Sequence, residues 1–248
     1  MSSQEEELKP YEQVGVAMTC RTFDEYERMF DLTPSLLTSG PILDVAGGAS
    51  SFVADAEAKG IDITAADPMY AMSPEDIHAK GAFELNDAYQ KLVKLQHQYD
   101  WSYYGGLAPY RTAREQSLVK FAAHFAKDRE LSKGSRIPSQ RYVPAQLPQL
   151  PFPDHQFSLV LCSHFLFLYG EQFDEAFHEA ALAELVRVCK SDGEARVYPL
   201  LTLRWERYPQ LDAIMHRLRD NYGIECRLET SRLPFIPGST QFLSMKRQ

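Results

Sequence analysis

The stretch "GPILDVAGGASSFVADAEAKGIDITAADPMY" (residues 40–70) puts Asp44 and Asp67 each at the end of an apolar run, with adjacent Gly47 and Gly48 just after the first. Carboxylates so placed can do two kinds of chemistry. A carboxylate accepts well from a pair of hydroxyl donors, and it attracts an ammonium or sulfonium charge while repelling a diphosphate. The glycine spacing points the same way. A dinucleotide fingerprint needs G-x-G-x-x-G, and a phosphate-cradling loop needs Gly-Lys-Ser/Thr where its helix starts; this turn supplies neither. Local roles compete with ligand binding: Asp44 tying down its loop, the two glycines making a tight turn, Asp67 capping the segment after it.

A second set of reactive side chains falls in "LCSHFLFLY", where Ser163 and His164 precede Tyr169. By type His164 is the best base, against the competing reading of a hydrogen-bonded core or rim histidine. Tyr103, Tyr104, Tyr110 and Arg111 lie in and beside "DWSYYGGLAPY", where they suit a lid or a substrate wall, or the packing of helices on the domain. Residues 111–141 carry Arg111, Arg114, Lys120, Lys127, Arg129, Lys133, Arg136 and Arg141 against Glu115, Asp128 and Glu130, a local excess of about +5. That stretch reads either as a solvated face balancing acids elsewhere or as a site for an anionic partner. The four cysteines, Cys20, Cys162, Cys189 and Cys226, are far apart, so neither a disulfide framework nor a zinc site is suggested, and no metal site is expected.

The elements that must hold these residues alternate along the chain. "TFDEYERMFDL" predicts an amphipathic helix, with Thr22 and Glu25 in capping-box spacing and Phe23, Tyr26, Met29 and Phe30 on one side. Residues 41–45 read as a buried central strand, Ser50 or Ser51 as the cap of a short helix that Gly60 ends, and 61–67 as a second strand. The piece from 68 to 140 is too long for one crossover and reads as a helical insertion. Strands follow at 141–145, 156–165 and 194–203, the last two separated by a long helix (171–190) and the turn "SDG". "QLDAIMHRLRDNYG" is helical with Gly223 as its stop, and the chain closes with two antiparallel strands joined by a Pro/Gly turn. The pattern predicts an α/β fold built on a mostly parallel sheet: one domain over 1–248, with a helical N-terminal extension (1–39) and an insertion (71–140) serving as lid or partner surface.

With 248 residues, 44% apolar and 24% charged, the chain suits a globular domain. A formal net charge of -8 argues against general affinity for nucleic acid or anionic membranes. "MSSQEEELKP" is unlike a signal peptide, and "FSLVLCSHFLFLY" is too short and polar to span a bilayer. A cytoplasmic protein is expected.

These residues resemble the class I S-adenosylmethionine-dependent methyltransferases. The family's acid followed by a glycine-rich turn corresponds to residues 44–50, with Ala46 and Ser50 at the first and third glycine positions, and its second acid to Asp67. "LPQLPFPDHQFSLVLCSHFLF" is similar to the family's approach to the fourth strand, "ELVRVCKSDGEARVYPL" to its next helix and fifth strand, and the final hairpin to its antiparallel seventh strand. The resemblance implies a Rossmann-like doubly wound seven-stranded sheet and S-adenosyl-L-methionine as methyl donor. It also implies roles. Asp44 with the backbone of Ala46, Gly47 and Gly48 faces the methionine portion, Asp67 holds the ribose hydroxyls, Pro68 and Met69 pack on adenine, and Gln146 stands where relatives carry an acid for the adenine amino group. Ser163 joins that set; His164 is the candidate base, and Tyr104, Arg111 and Tyr169 are candidate acceptor contacts. Relatives that methylate nucleic-acid amino groups carry Asp/Asn-Pro-Pro-Tyr/Phe where this chain has "CSHF", which leaves a small molecule, the acceptor expected here, or a protein side chain. Two rivals stay open: a non-catalytic S-adenosylmethionine-binding protein with the same fold, and a nicotinamide-dependent oxidoreductase.

Overall fold

The computed structural model describes residue 13 and residues 15–133, 141–233 and 235–248. The acidic start (1–12), part of the expected insertion (134–140, with Arg136) and Pro234 lie outside the described residues.

Helix α1 (Phe23–Met29) starts on the expected capping box: Thr22 accepts from the Glu25 N–H while the Glu25 side chain accepts from the Thr22 N–H. After the short α2 (Pro34–Leu37), strand β1 (Ile42–Val45) is buried throughout. Helix α3 (Phe52–Glu57) follows, then β2 (Ile63–Ala66). Two long helices come next, α4 (Pro74–Leu95) and α5 (Leu107–Ser132). The rest of the chain runs through β3 (Tyr142–Val143), β4 (Phe157–Ser163), α6 (Glu175–Arg187), β5 (Cys189–Tyr198), α7 (Leu211–Tyr222), β6 (Ile224–Thr230) and β7 (Gln241–Arg247).

The seven strands form one sheet in the order β3-β2-β1-β4-β5-β7-β6. The first five are mutually parallel, and β7 runs antiparallel to both β5 and β6. Each face carries its own apolar layer, one joining Phe23, Phe52 and Phe121 from α1, α3 and α5, the other joining Leu182, Leu185 and Ile214 from α6 and α7. The architecture is thus the expected doubly wound sheet with antiparallel C-terminal strands. Because β2 and β4 flank β1 on opposite sides, the order reverses at β1, and the crevice beyond the strand ends there is the place for a ligand.

Several boundaries differ from expectation, each for a local reason. Strand β3 stops at Val143, since Pro144 has no N–H for the ladder. Strand β5 begins at Cys189, ahead of the "SDG" expected as a turn: Phe157 pairs with Cys189 but Leu159 with Glu194, so the polar residues are a register slip within the strand. It ends at Tyr198, before Pro199, and does not run on to 203. Helix α6 begins at Glu175, four residues late, because Asp174 caps it by accepting from the Phe177 N–H. At α3 it is the Ser50 hydroxyl that accepts from the Phe52 N–H, while Ser51 makes no side-chain cap bond.

Candidate functional site

The β1 strand carries Asp44 to the switch point, where the phenol of Tyr26 donates to it at 3.0 and 3.1 Å. Tyr26 is fixed in turn by stacking on Phe52 with ring centroids 4.1 Å apart. Asp44 is 1% exposed. Burial pushes its carboxyl up to about 8, the Tyr26 hydrogen bond opposes that, and the carboxyl of Asp67 adds to it. A buried acid whose only charged influence among the described residues is another acid is chemically suited to a cationic ligand.

The turn itself is built around the second acid. Asp67 leaves β2 and accepts from the Gly48 N–H at 3.1 Å and from the Met69 N–H at 2.8 Å, capping the 3-10 turn Pro68–Ala71. Burial raises its carboxyl from the ordinary value, against those two N–H donors. Gly47 abuts this pair: an added Cβ would stand 2.8 Å from the Tyr70 hydroxyl and 2.9 Å from Asp44 Oδ2. Ala46 is held at φ 57, a left-handed conformation that glycine adopts more cheaply. The local roles considered for Asp67 and the glycines are therefore present, whereas Asp44, among the described residues, is bonded to Tyr26 of α1 and not to its own loop. Each carboxyl still has lone pairs free for a ligand.

Residues 17–21 lie over the turn as a strap. Thr19 O accepts from the Ala49 N–H at 2.9 Å and stands 2.9 Å from where a Cβ on Gly48 would be. Arg21 O accepts from the Ser51 N–H and from the hydroxyls of Ser50 and Ser117. The Ala17 N–H donates to the Tyr169 hydroxyl.

The other side of the strap lines a cavity of about 120 Å³ that reaches His164, just past the tip of β4, and Tyr169, and is walled by Tyr89 of α4, Tyr110 of α5, Trp205 and Phe235. Neither Asp44, the glycines nor Asp67 lines it, and the strap lies between the turn and this cavity. Arg21 and Arg114 form the wall nearest the charge cluster. Both bind Glu25, Arg21 Nη1 at 3.0 Å and Arg114 through two donors, one at 2.5 Å to Oε2. Burial works to raise the Glu25 carboxyl, but Arg114 and Arg21 hold it well below the ordinary range. His164 sits at φ 53, with Nδ1 3.1 Å from Ser163 Oγ. Burial, then the charge of Arg21, depresses its basicity well below the usual imidazole value, so it is neutral.

The expected site residues thus divide. Asp44, Ala46, Gly47, Gly48, Asp67 and Met69 come together at the turn, with Pro68 opening the 3-10 turn. His164 and Tyr169 line the cavity, and Arg111 stands at its rim, paired with Glu115 at 2.7 Å. Ser163 bridges to His164 from the last position of β4. Gln146 is exposed three residues beyond β3. Tyr104 is withdrawn behind the cavity wall, its hydroxyl bonded to Glu25 and Arg114. The basic stretch is largely neutralised: Lys120 faces Asp55, Lys127 faces Glu57, Lys133 faces Glu130 and Arg141 faces Asp62. Glu25 and Arg21 were not expected at a site. Their i,i+4 spacing beside an apolar helix face was the available signal.

Among the described residues no helix is long and apolar enough to cross a membrane, and no group of three or more His, Cys, Asp or Glu could hold a metal ion. A family profile described as "Methyltransferase domain" matches residues 111–197, from within α5 through β5. An uncharacterized protein of Methanocaldococcus jannaschii is 31% identical over 229 residues, covering 92% of this chain and 94% of that one. The chain is also similar to solved structures. A TehB-like SAM-dependent methyltransferase from Corynebacterium glutamicum has 16% identity, coverage of 90% and 87%, and a TM-score of 0.43. A SAM-dependent methyltransferase from Aquifex aeolicus has 13% identity, coverage of 85% and 82%, and a TM-score of 0.38.

Proposed function

The chain belongs to the class I S-adenosylmethionine-dependent methyltransferases, and from that premise we propose that it transfers a methyl group from S-adenosylmethionine to a small-molecule acceptor in the cavity at the tip of β4. The observation that carries the proposal is Asp44, a buried acid with no cation beside it among the described residues, at the strand end where the sheet order reverses. When bound, the nucleoside supplies a methyl group on a sulfonium centre, whose charge such an acid complements.

The chain's residues then have separate tasks. Asp44 balances the positive charge, and Asp67 offers its remaining lone pairs to the ribose hydroxyls while keeping the turn closed through Gly48 and Met69. The strap at 17–21 must yield for a nucleoside at the turn to meet the cavity, because Thr19 bears on Gly48 from one side and lines the cavity on the other. The cavity excludes water and aligns the acceptor, the main requirement of an in-line displacement. His164, neutral and at the cavity wall, takes the proton of an acceptor that carries one. Helices α4 and α5, within the 71–140 insertion, act as the cavity's lid. The four cysteines are free, in keeping with a cytoplasmic location.

Incubating the protein with S-adenosylmethionine and a small-molecule extract tests this. Formation of S-adenosylhomocysteine is expected. Binding of the nucleoside without turnover on any fraction would favour the non-catalytic rival, for which the strap on the turn is the supporting observation.

A further inference from the structure

We propose that the cavity at the tip of β4 takes a ring-sized organic monocarboxylic acid, its carboxylate turned to the wall made by Arg21 and Arg114. The inference deepens the functional reading, since it names the class of the acceptor and rests on the cavity being the acceptor site.

Charge is the first argument. Arg21 and Arg114 are 5% and 4% exposed and share one carboxylate, that of Glu25. Among the described residues the Nε of each guanidinium has no hydrogen-bond partner. Tyr104 joins the cluster only as a phenol. The other charges of the wall are matched one for one, Arg111 by Glu115 and Glu84 by Lys80. Among the described residues, one buried positive charge is left without a counter-charge. Such a charge is costly in an apolar surround, and an anion entering the cavity relieves that cost. A cationic ligand would add to it.

Size and lining narrow the anion. A cavity of about 120 Å³ is on the scale of the roughly 150 Å³ that takes up benzene in a dry protein core, which matches a single ring and is too small for a nucleotide. Tyr89, Tyr99, Tyr110, Tyr169, Trp205 and Phe235 supply aromatic walls, which suit an aromatic face and leave a strongly hydrated dianion unsolvated. An aromatic monocarboxylate meets both conditions.

Calorimetric titration of the full chain with benzoate and with the neutral benzamide, without any nucleoside, tests the proposal. Benzoate is expected to bind at least tenfold more tightly, and Arg21→Gln, which leaves the Arg114 and Glu25 pair in balance, is expected to abolish the preference. If that variant does not fold, quenching of tryptophan emission by benzoate, lost in Trp205→Phe, locates the ligand. Equal binding of the two compounds, binding of neither, a preference unchanged in folded Arg21→Gln, or quenching that survives in Trp205→Phe overturns it. Titration with S-adenosylhomocysteine in parallel keeps the two claims apart. Benzoate preference without nucleoside binding upholds the acid site and removes the methyl-transfer reading; nucleoside binding without the preference overturns the acid site alone.

Discussion

The hydroxyl of Tyr26 lies 3.0 Å from Asp44 Oδ2, so a helix outside the sheet closes the far side of the acid at the sheet's switch point. With burial pushing that carboxyl up to about 8, the folded protein holds a proton that the unfolded chain, near its ordinary value of about 3.9, has released. Asp44 thereby contributes stability that is complete below about pH 4 and is lost as pH rises through about 8. Asp44→Asn should remove this loss and raise stability at pH 8.5 by on the order of a few kcal/mol, with little change at pH 4. Thermal unfolding at the two pH values checks it; burial raises Asp67 too, so part of the slope will persist.

The left-handed positions of the turn give opposite outcomes. Ala46→Gly relieves a φ of 57 and should stabilise the fold by about 1 kcal/mol. Gly48→Ala adds a Cβ 2.9 Å from Thr19 O at a φ of +55 and should cost about 1–3 kcal/mol. Denaturant unfolding of both variants reads the difference.

Asp67→Ala should weaken S-adenosylmethionine binding by roughly 1–3 kcal/mol, the scale of hydrogen bonds to a charged group. The same change frees the N–H groups of Gly48 and Met69, so the affinity must be compared in a variant shown to be folded. Unchanged affinity would leave Asp67 as the loop's tie alone.

His164→Ala should lower turnover by about 10²–10⁴-fold and leave nucleoside affinity unaltered. Burial, then the charges of Arg21 and Arg114, holds the imidazole well below its usual value, with Glu25 opposing. Its protonation should therefore cut activity only well below pH 6.5. A rate that falls between pH 7.5 and 6.5 on account of His164 would contradict that assignment.

Much of this was legible in the sequence because it is local. Apolar runs, caps and glycine stops set the strands and helices, and the spacing from Asp44 to Asp67 gave the βαβ unit and the acids at its two strand ends. Long-range pairing was not legible. Glu25 was recognisable as a capping-box residue, but its burial follows from Arg114, 89 residues away. The strap has no period to announce it, and its hold on the turn is made by backbone groups of Thr19 and Arg21. The "SDG" run carries turn chemistry, yet the neighbouring strand absorbs it as a register slip.

Calorimetric titration of S-adenosylmethionine into the full chain at pH 7, repeated in buffers of different ionisation enthalpy, tests the central claim most directly. A cation seated beside Asp44 must expel the proton that the buried carboxyl holds below about pH 8. The account predicts one saturable site, proton release on binding, affinity rising by up to about tenfold per pH unit below pH 8, and no proton release in Asp44→Asn. Absence of nucleoside binding, or saturable binding of a reduced nicotinamide dinucleotide in its place, would contradict it.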